Sequence, residues 1–332
     1  MKPAAYIGID LGGTSIKMGL IDQQGNILHS LQYPTPVKEG YAKVLSVFTQ
    51  MAESLLRESG HQWRNIAGVG IGVPAFLDFQ KGLVVEVVNL GWHKVSLQED
   101  MGRIWNVPVV VENDANAAAL GEMWTGAGKG VSQLLCLTLG TGIGGGVIIN
   151  GEIYHGANGT AGEVGHMTLK AHGGRVCNCG RTGCLETEAS ATAIVLDALE
   201  RVQGISAGPL QEEFARTGTL TAIAVIQLAQ QGEPVCREII AKVGAILGNS
   251  LADMCCLLNP EMIVIGGGVS QAGNILFDPL IKAFNSAVLP RAAENVVIVP
   301  AKLGNRAGMT GAAWLVHRQA QEICSVEQGG KQ

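Results

Sequence analysis

Two segments of the chain share one pattern, in which an apolar strand leads into a glycine-rich turn and then into a second apolar strand. The first segment is residues 6–21 and the second is residues 134–150. When the first is displaced by 128 positions, Gly12 falls on Gly140 and Leu20 falls on Ile148. Because a strand rather than a helix follows each turn, neither segment is a dinucleotide-binding fingerprint. The repeat predicts two related α/β lobes, each with a hairpin that binds phosphate.

The first hairpin carries groups suited to a nucleotide phosphate. Gly12 and Gly13 allow backbone N–H groups to approach a phosphate closely. Thr14 adds a hydroxyl donor and Lys17 adds a positive charge. Asp10 ends the first strand, where its carboxylate could hold a hydrated magnesium ion. A plain hairpin turn is the alternative explanation of the two glycines.

Three cysteines lie in a glycine-rich segment, residues 162–186, with the spacing C-x-C-x4-C. They are Cys177, Cys179 and Cys184, and His166 precedes the first by eleven residues. Thiolate sulfur and imidazole nitrogen are the ligands of a structural zinc ion, and glycines let the backbone turn tightly around it. Three unrelated buried thiols are the alternative, and His166 could instead contact a sugar or a phosphate. The close spacing of the cysteines favours zinc.

Two carboxylates flank these candidate metal ligands, Glu163 on one side and Glu186 on the other. A zinc ion between them would fix the position of both side chains. Rigidly held carboxylates indicate a polar ligand nearby.

A further carboxylate lies between a predicted strand and a predicted helix. Residues 107–111 are apolar and β-branched, and residues 115–124 are strong helix formers. Asn113 or Asp114 caps that helix, and capping alone would explain both residues. Capping does not exclude chemistry, because open α/β sheets bind ligands beyond the carboxyl ends of their strands.

The rest of the chain reads as alternating helices and strands. Helices are predicted at 188–202 and 221–231, with an irregular loop at 203–218 between them. A long apolar helix at 238–258 ends at an Asn-Pro pair and leads into a strand at 262–265 and another glycine turn. The last strand, 296–300, and the last helix, 308–322, complete the chain.

Composition limits the kind of partner and the number of domains. With 332 residues, of which 47% are hydrophobic, two domains are expected. Only 15% of residues are charged and the net charge is −5, which argues against nucleic acid or an anionic membrane and for a small molecule. Eight cysteines and a start without signal-peptide features predict the cytoplasm. No continuous apolar run reaches the length of a membrane span, so none is expected.

Together these motifs closely resemble the ROK family of sugar kinases over nearly the whole chain. The motifs are I-D-L-G-G-T-S-I-K (9–17), V-N-L-G-W (88–92), E-N-D-A-N (112–116), L-G-T-G-I-G-G-G (139–146), G-E-V-G-H (162–166), C-N-C-G-R-T-G-C-L-E (177–186) and I-G-G-G-V-S (265–270). Each glycine run alone is weak evidence. Their order, with the cysteine segment, is specific to this family.

The resemblance implies a two-lobed, actin-like (ribonuclease-H-like) α/β fold with a cleft between the lobes and a zinc-binding loop. It places the small lobe at residues 1–111 plus 307–325 and the large lobe at 112–306. It also implies phosphorylation of a hexose by ATP with magnesium, glucose being the expected sugar, and a homodimer or homotetramer.

The resemblance also assigns roles to matching residues. Asp114 would be the general base for the sugar 6-hydroxyl. The other sugar contacts would be Asn113, Glu163, His166 and Glu186, with His166 binding zinc through one ring nitrogen and sugar through the other. Asp10 would position magnesium. The groups around the nucleotide would be Gly12, Gly13, Thr14, Lys17, Thr141, Gly142, Gly266, Gly267 and Gly268.

One position departs from the family pattern, and two alternative functions stay open. Ala75 stands where the family usually has glycine in G-V-P-G, which puts the fine sugar specificity in doubt. The substrate could be mannose, allose, fructose or an N-acetylhexosamine. Some ROK proteins are instead sugar-responsive repressors, which carry a helix-turn-helix before the first hairpin. That hairpin begins here at Tyr6, which favours the kinase.

Overall fold

The computed structural model describes residues 5–79, 81–204 and 207–329. Its strands are β1 (Ala5–Leu11), β2 (Ser15–Asp22), β3 (Ile27–Pro34), β4 (Ile66–Val73), β5 (Phe76–Asp78), β6 (Leu83–Val87), β7 (Trp92–Val95), β8 (Val109–Asn113), β9 (Leu134–Leu139), β10 (Ile143–Ile149), β11 (Glu152–Ile153), β12 (Met262–Gly266) and β13 (Val297–Pro300). Its helices are α1 (Tyr41–Ser59), α2 (Leu97–Trp105), α3 (Asp114–Trp124), α4 (Glu186–Ala189), α5 (Ala191–Val202), α6 (Pro209–Thr217), α7 (Ala222–Gln230), α8 (Pro234–Leu258), α9 (Asn274–Ala287), α10 (Pro290–Ala293) and α11 (Ala307–Gly329).

The chain divides into two compact units. The first unit combines the N-terminal residues up to Ser132 with Gly146–Gly162 and the residues from Lys302 onward. The second unit is Gln133–Gly145 with Glu163–Ala301. Residues 112–132, 146–162 and 302–306 therefore pack with the first unit, whereas the expected small lobe excludes them. The lobe limits stay a prediction, because lobes are defined by the residues that move together on closure.

The first unit is built on a sheet with the strand order β3-β2-β1-β4-β8. β1 and β2 form the predicted antiparallel hairpin, with Asp10 opposite Lys17. β1, β4 and β8 are parallel, and the register runs from Asp10 through Gly72 to Glu112. The carboxyl ends of these three strands therefore lie at one edge of the sheet, and this edge carries Asp10 and Asn113.

Alternation along β1 buries its two faces against different helices. Ile7 and Ile9 belong to the main core of the unit, with Phe48 from α1. Tyr6, on the other face, lies in a second cluster with Val316 of α11. The two faces are thus both buried, as expected for strands in the middle of an α/β sheet.

The second five-stranded sheet has the order β11-β10-β9-β12-β13. β9, β12 and β13 are parallel to one another, and the chain passes from the second unit to the first within β10. Each sheet thus contains a glycine hairpin, an added antiparallel strand on one side and parallel strands on the other. This repeated order confirms the predicted α/β fold of the actin-like type.

Helix α8 is the long apolar helix that the sequence predicts, and it begins four residues earlier, at Pro234. Proline at the first position and the Glu233 side chain, which accepts from the N–H of Cys236, define that start. By length and composition alone α8 is suited to cross a membrane, yet 61% of its apolar window is buried within the protein. Core helices of globular proteins meet the same criterion, so the expected lack of a membrane span stays a prediction.

The predicted loop at 203–218 is wrong over part of its length, because α6 occupies Pro209–Thr217. Pro209 starts this helix and Gly218 ends it in a left-handed conformation. Only Leu210 is fully buried within it, so the apolar period that signals a helix is weak. Residues 205 and 206 of the predicted loop lie outside the described residues. The apolar residues 84–90 predict a single strand from the sequence, whereas β6 ends at Val87.

Candidate functional site

The four predicted zinc ligands come together in the second unit. One ligand atom from each of His166, Cys177, Cys179 and Cys184 lies within 4.8 Å of all the others. Sγ of Cys179 is 3.7 Å from Sγ of Cys184, and Sγ of Cys177 is 3.5 Å from Nδ1 of His166. Tetrahedral zinc with its usual bond lengths requires about 3.8 Å between two sulfurs and about 3.6 Å between sulfur and nitrogen. The donor set and its spacing therefore fit a zinc ion.

Short backbone pairings hold these side chains in place. The N–H of Cys177 donates to the carbonyl of Arg181 (2.7 Å), and the N–H of Gly180 donates back to the carbonyl of Cys177 (2.9 Å). Gly183 has φ 74°, and a Cβ there would lie 1.9 Å from the carbonyl oxygen of Lys170. Only glycine fits such a position, which explains why a glycine directly precedes Cys184.

The thiols differ in their readiness to ionise. A hydrogen bond from the backbone N–H of Arg181 is the main cause that lowers the pKa of Cys179 to about 6. Burial, followed by the hydrogen bond to Glu186, raises the pKa of Cys177. Its thiol donates to Oε1 of Glu186 at 2.9 Å. Zinc binds thiolates, so metal binding would displace this proton.

The imidazole of His166 has different neighbours at its two ring nitrogens. Nδ1 faces the cysteines and lies 3.6 Å from Oε1 of Glu186, whereas Nε2 lies 3.9 Å from Oε2 of Glu163. Burial raises the pKa of Glu163, and the charge of His166 opposes that shift. Nδ1 can therefore bind a metal while Nε2, beside the Glu163 carboxylate, remains able to bind a polar ligand.

The turn of the second glycine hairpin lies beside Glu186, and both belong to the second unit. A Cβ on Gly142 would lie 2.4 Å from Oε2 of Glu186, and the same oxygen accepts from the N–H of Ile143 at 3.4 Å. The carbonyl of Thr141 accepts from the hydroxyl of Thr192 at 2.7 Å. Glu186 thus joins the cysteine segment to the predicted phosphate hairpin.

The third glycine turn follows β12 in the same unit. Gly267 has φ 85°, and a Cβ there would lie 2.3 Å from the carbonyl oxygen of Leu139. The hydroxyl of Ser270 donates to the carbonyl of Gly267 at 2.7 Å. A Cβ on Gly268 would meet no atom within 4 Å, so that side of the turn is open. The turn therefore packs closely on the end of β9 at Gly267 and leaves open space at Gly268.

In the first unit, Asn113 rather than Asp114 caps α3. The Asn113 side chain accepts from the N–H groups of Ala115 (2.9 Å) and Asn116 (3.1 Å), and its amide donates to the carbonyl of Ala75 (3.3 Å). Asp114 is the first residue of the helix, and its Oδ1 accepts from the N–H of Ala115 at 2.9 Å. Asn113 is therefore the N-cap of α3, and Asp114 shares one of its two N–H donors.

Ala75, the departure from the family pattern, is 8% exposed and belongs to the core of the first unit. Its carbonyl oxygen is the acceptor that orients the Asn113 amide. The residue therefore bears on the site through its backbone, which any amino acid supplies.

The first hairpin places Asp10 and Lys17 side by side. Nζ of Lys17 donates to Oδ2 of Asp10 at 3.0 Å. A Cβ on Gly308, at the start of α11, would lie 2.8 Å from Cγ of Asp10. The absence of a side chain at Gly308 gives the carboxylate its place. Magnesium prefers carboxylate oxygen, so Asp10 has the chemistry of a magnesium ligand or of an acceptor for magnesium-bound water.

One backbone hydrogen bond and one side-chain hydrogen bond close the turn of this hairpin. The N–H of Gly12 donates to the carbonyl of Ser15 at 3.0 Å, and the hydroxyl of Thr35 donates to the carbonyl of Gly12 at 2.6 Å. A Cβ on Gly13 would find its nearest neighbour, the Asn89 amide nitrogen, 3.9 Å away. The accessible phosphate donors in the turn are therefore expected at Gly13 and Thr14.

The predicted site residues thus fall into two groups, one in each unit. Asp10, Gly12, Gly13, Thr14, Lys17, Asn113 and Asp114 belong to the first unit, and Thr141, Gly142, Glu163, His166, Cys177, Cys179, Cys184, Glu186, Gly266, Gly267 and Gly268 belong to the second. The sequence predicts no role for Glu112 and His155, whose side chains are hydrogen-bonded to each other in the first unit. Glu112 precedes Asn113 in the E-N-D-A-N motif. Its position after an apolar strand could have marked it as a candidate site residue.

Comparison with known proteins points to one family. A model of the ROK family matches residues 6–319. A glucokinase of Halalkalibacterium halodurans is 42% identical over 334 aligned positions, covering 100% of this chain and 99% of that protein. The xylose repressor of Caldicellulosiruptor bescii is 34% identical and covers 94% of this chain, which spans 78% of the repressor. The crystal structure of a ROK family glucokinase from Streptomyces griseus, in complex with glucose and AMPPNP, superposes with a TM-score of 0.80 at 33% identity, over 94% of this chain and 98% of that one.

Proposed function

Because this chain belongs to the ROK family, we propose that it is a glucokinase, which transfers the γ-phosphoryl group of ATP to the 6-hydroxyl of glucose and releases ADP and glucose 6-phosphate. The observation that carries the proposal is the position of Asp114, a carboxylate in the first turn of α3 whose neighbour Asn113 has taken over the capping. A carboxylate at the start of a helix that follows a parallel strand lies where open α/β sheets bind their ligands, and it can accept a proton from a hydroxyl nucleophile.

Asp114 acts in this proposal as the general base. It accepts the proton of the sugar 6-hydroxyl as that oxygen attacks phosphorus, which makes the oxygen a better nucleophile. The first turn of a helix favours the ionised carboxylate, since the helix dipole is positive there.

The remaining sugar contacts are proposed for Asn113 in the first unit and for Glu163, His166 and Glu186 in the second. Carboxylates give orientation-specific hydrogen bonds to hydroxyl groups, and an epimer would leave one of them without its partner. The proximity of Nε2 of His166 to Glu163, at 3.9 Å, supports a shared ligand for these two groups.

The glycine turns are proposed to bind the nucleotide. Backbone N–H groups and hydroxyls at Gly13, Thr14, Thr141 and Gly142 hold the phosphates, and Gly12 lets the turn approach them closely. Lys17 adds charge, and Gly266, Gly267 and Gly268 border the adenosine. Magnesium, held through Asp10, would neutralise phosphate charge when bound. Because Lys17 already pairs with Asp10 at 3.0 Å, the ammonium lies beside the position proposed for the metal.

Zinc is proposed as a structural ion. Three thiolates and one imidazole fill a tetrahedral site and leave no position for a reacting water. The ion would fix the segment that carries Glu163, His166 and Glu186 without taking part in phosphoryl transfer. We also propose a cytoplasmic homo-oligomer, a dimer or a tetramer.

A coupled assay of ADP release tests the function. We expect turnover with glucose to exceed turnover with mannose, allose, fructose and N-acetylmannosamine at equal concentration. If another sugar of this panel is faster, the chain is a kinase for that sugar. If no sugar stimulates ADP release, the kinase proposal is overturned.

A sugar-responsive regulator is the second candidate, since the chain is 34% identical to a xylose repressor. The two functions differ in turnover. A regulator would bind its sugar, measured by calorimetry, without consuming ATP, whereas a kinase would give one ADP for each phosphorylated sugar.

A further inference from the structure

A buried carboxylate lies directly under the start of α3. Glu112 is 2% exposed, and its Oε1 accepts from the N–H of Asn113 (2.8 Å) and from Nδ2 of Asn116 (2.9 Å). Its Oε2 lies 2.7 Å from Nε2 of His155. Burying a carboxylate costs free energy unless hydrogen-bonding partners replace the lost water. These three contacts supply such partners to both oxygens of Glu112.

These contacts surround Asp114 in the chain. Glu112 holds the backbone N–H of the residue before Asp114 and the side chain of the residue two positions after it. A rotation of the Glu112 carboxylate would therefore shift both flanks of Asp114. The direction of the Asp114 side chain therefore depends on Glu112, which contacts the residues on both sides of Asp114.

His155 is fixed independently of Glu112. Its ring lies against Phe79, with ring centroids 3.9 Å apart, and its backbone carbonyl accepts from the N–H of Ala161 at 3.1 Å. A Cβ on Gly159, in the same loop, would lie 2.9 Å from the Phe79 ring, so the loop packs tightly on this side chain. The histidine is therefore a firm hydrogen-bonding partner for the second oxygen of Glu112.

We propose that Glu112 and His155 form a positioning pair for the general base Asp114, an inference that rests on the proposed function. His155 holds one carboxylate oxygen of Glu112, and the other oxygen then holds the start of α3 in a single orientation. Neither residue needs to touch the substrate. The pair acts on the rate of the transfer step, because misplacing a catalytic group by about 1 Å can lower a rate about a hundredfold.

A purely structural role makes a different prediction. If the pair only stabilised the fold, its loss would lower the melting temperature and leave kcat of the folded enzyme unchanged. If it positions Asp114, its loss lowers kcat and leaves the KM values for sugar and ATP nearly constant.

Two substitutions separate the hydrogen bond from the ring packing. His155→Phe keeps an aromatic ring against Phe79 and removes the ring nitrogen, whereas His155→Gln removes the ring and keeps an N–H donor. The matched control is His29→Phe, since Nε2 of His29 also contacts a glutamate, Glu58, at 3.1 Å, on the strand β3 and helix α1 side of the same unit. Assays use the fastest sugar of the hexose panel.

We expect His155→Phe to lower kcat about tenfold with KM values within about threefold, while His155→Gln keeps at least half of the parent kcat and His29→Phe keeps all of it. In the Asp114→Asn background, His155→Phe should cause no further loss, since both changes act on one group. A kcat for His155→Phe within twofold of the parent, or an equal loss in both His155 variants, overturns the positioning role while the kinase function stands. If the parent protein phosphorylates no sugar, both proposals fail together.

Discussion

At the scale of single residues, the proposed catalytic role of Asp114 can be tested with little change to the helix that it begins. Its neighbour Asn113 accepts two backbone N–H groups and thereby starts α3. Oδ1 of Asp114 also accepts from the N–H of Ala115, at 2.9 Å, so Asp114 shares this donor with Asn113. An asparagine in place of Asp114 retains an oxygen for that contact. Substitution therefore removes a charge and a proton acceptor while leaving the start of the helix in place.

We expect Asp114→Asn to lower kcat by a factor of about 10² to 10⁴, which is the usual contribution of a general base. Glucose affinity, measured by calorimetry, should stay within about tenfold, because the amide retains hydrogen-bonding capacity. The melting temperature is the control and should change by no more than a few degrees. Near-normal turnover of this variant would contradict the assignment of the base.

At the scale of elements, the cysteine segment combines three thiols, a histidine and two carboxylates in one stretch of chain without a long helix or strand of its own. Its described backbone is held by short turns and by two isolated bridges, Thr168 with Cys184 and Val176 with Thr182. A bound metal would add a direct link between the turns that carry its four ligands. The same ion would then help to fix the positions of Glu163 and Glu186.

We expect Cys179→Ser to lower the zinc content from about one ion per chain to a small fraction and to raise KM for glucose, because a serine hydroxyl is a poor substitute for a thiolate ligand. Mass spectrometry of the metal and steady-state kinetics measure both effects. Cys256→Ser is the control, since Cys256 is exposed on α8 and lies outside the cluster. Parent protein that contains no zinc after growth with the metal would contradict the assignment.

The elements also show which features a sequence reveals. The hairpins β1-β2 and β9-β10, a helix start at Asn113 or Asp114, and the cluster of His166 with three cysteines were predictable because each is encoded by residues close together in the chain. Helix α6 was missed because one buried residue, Leu210, gives no apolar period. The contact between Glu112 and His155 joins residues 43 positions apart, and no local pattern reports it.

At the scale of the whole chain, its two ends fold into one unit. Helix α11 lies on strands β1 and β4 at positions where those strands carry glycine. A Cβ on Gly8 would lie 1.8 Å from the carbonyl oxygen of Met309, and a Cβ on Gly70 would lie 1.7 Å from that of Ala312. Backbone therefore packs against backbone, which explains why β4 alternates glycine with larger apolar residues.

This packing predicts opposite effects for two glycine-to-alanine changes in the same unit. Gly70→Ala should lower the melting temperature by about 6 °C or more, because the methyl group forces α11 away from the sheet at a cost of about 3 kcal/mol. Gly102→Ala, inside α2, should leave the melting temperature unchanged or raise it by a few degrees, because alanine favours a helix over glycine by about 1 kcal/mol. The new Cβ also has room, since its nearest neighbour would be the carbonyl oxygen of Val107, 4.0 Å away. Scanning calorimetry measures both. If the two variants melted together, the close contact of α11 with the sheet would not be the reason for glycine at Gly70, and the C-terminal helix would have to be held to this unit by its side chains instead.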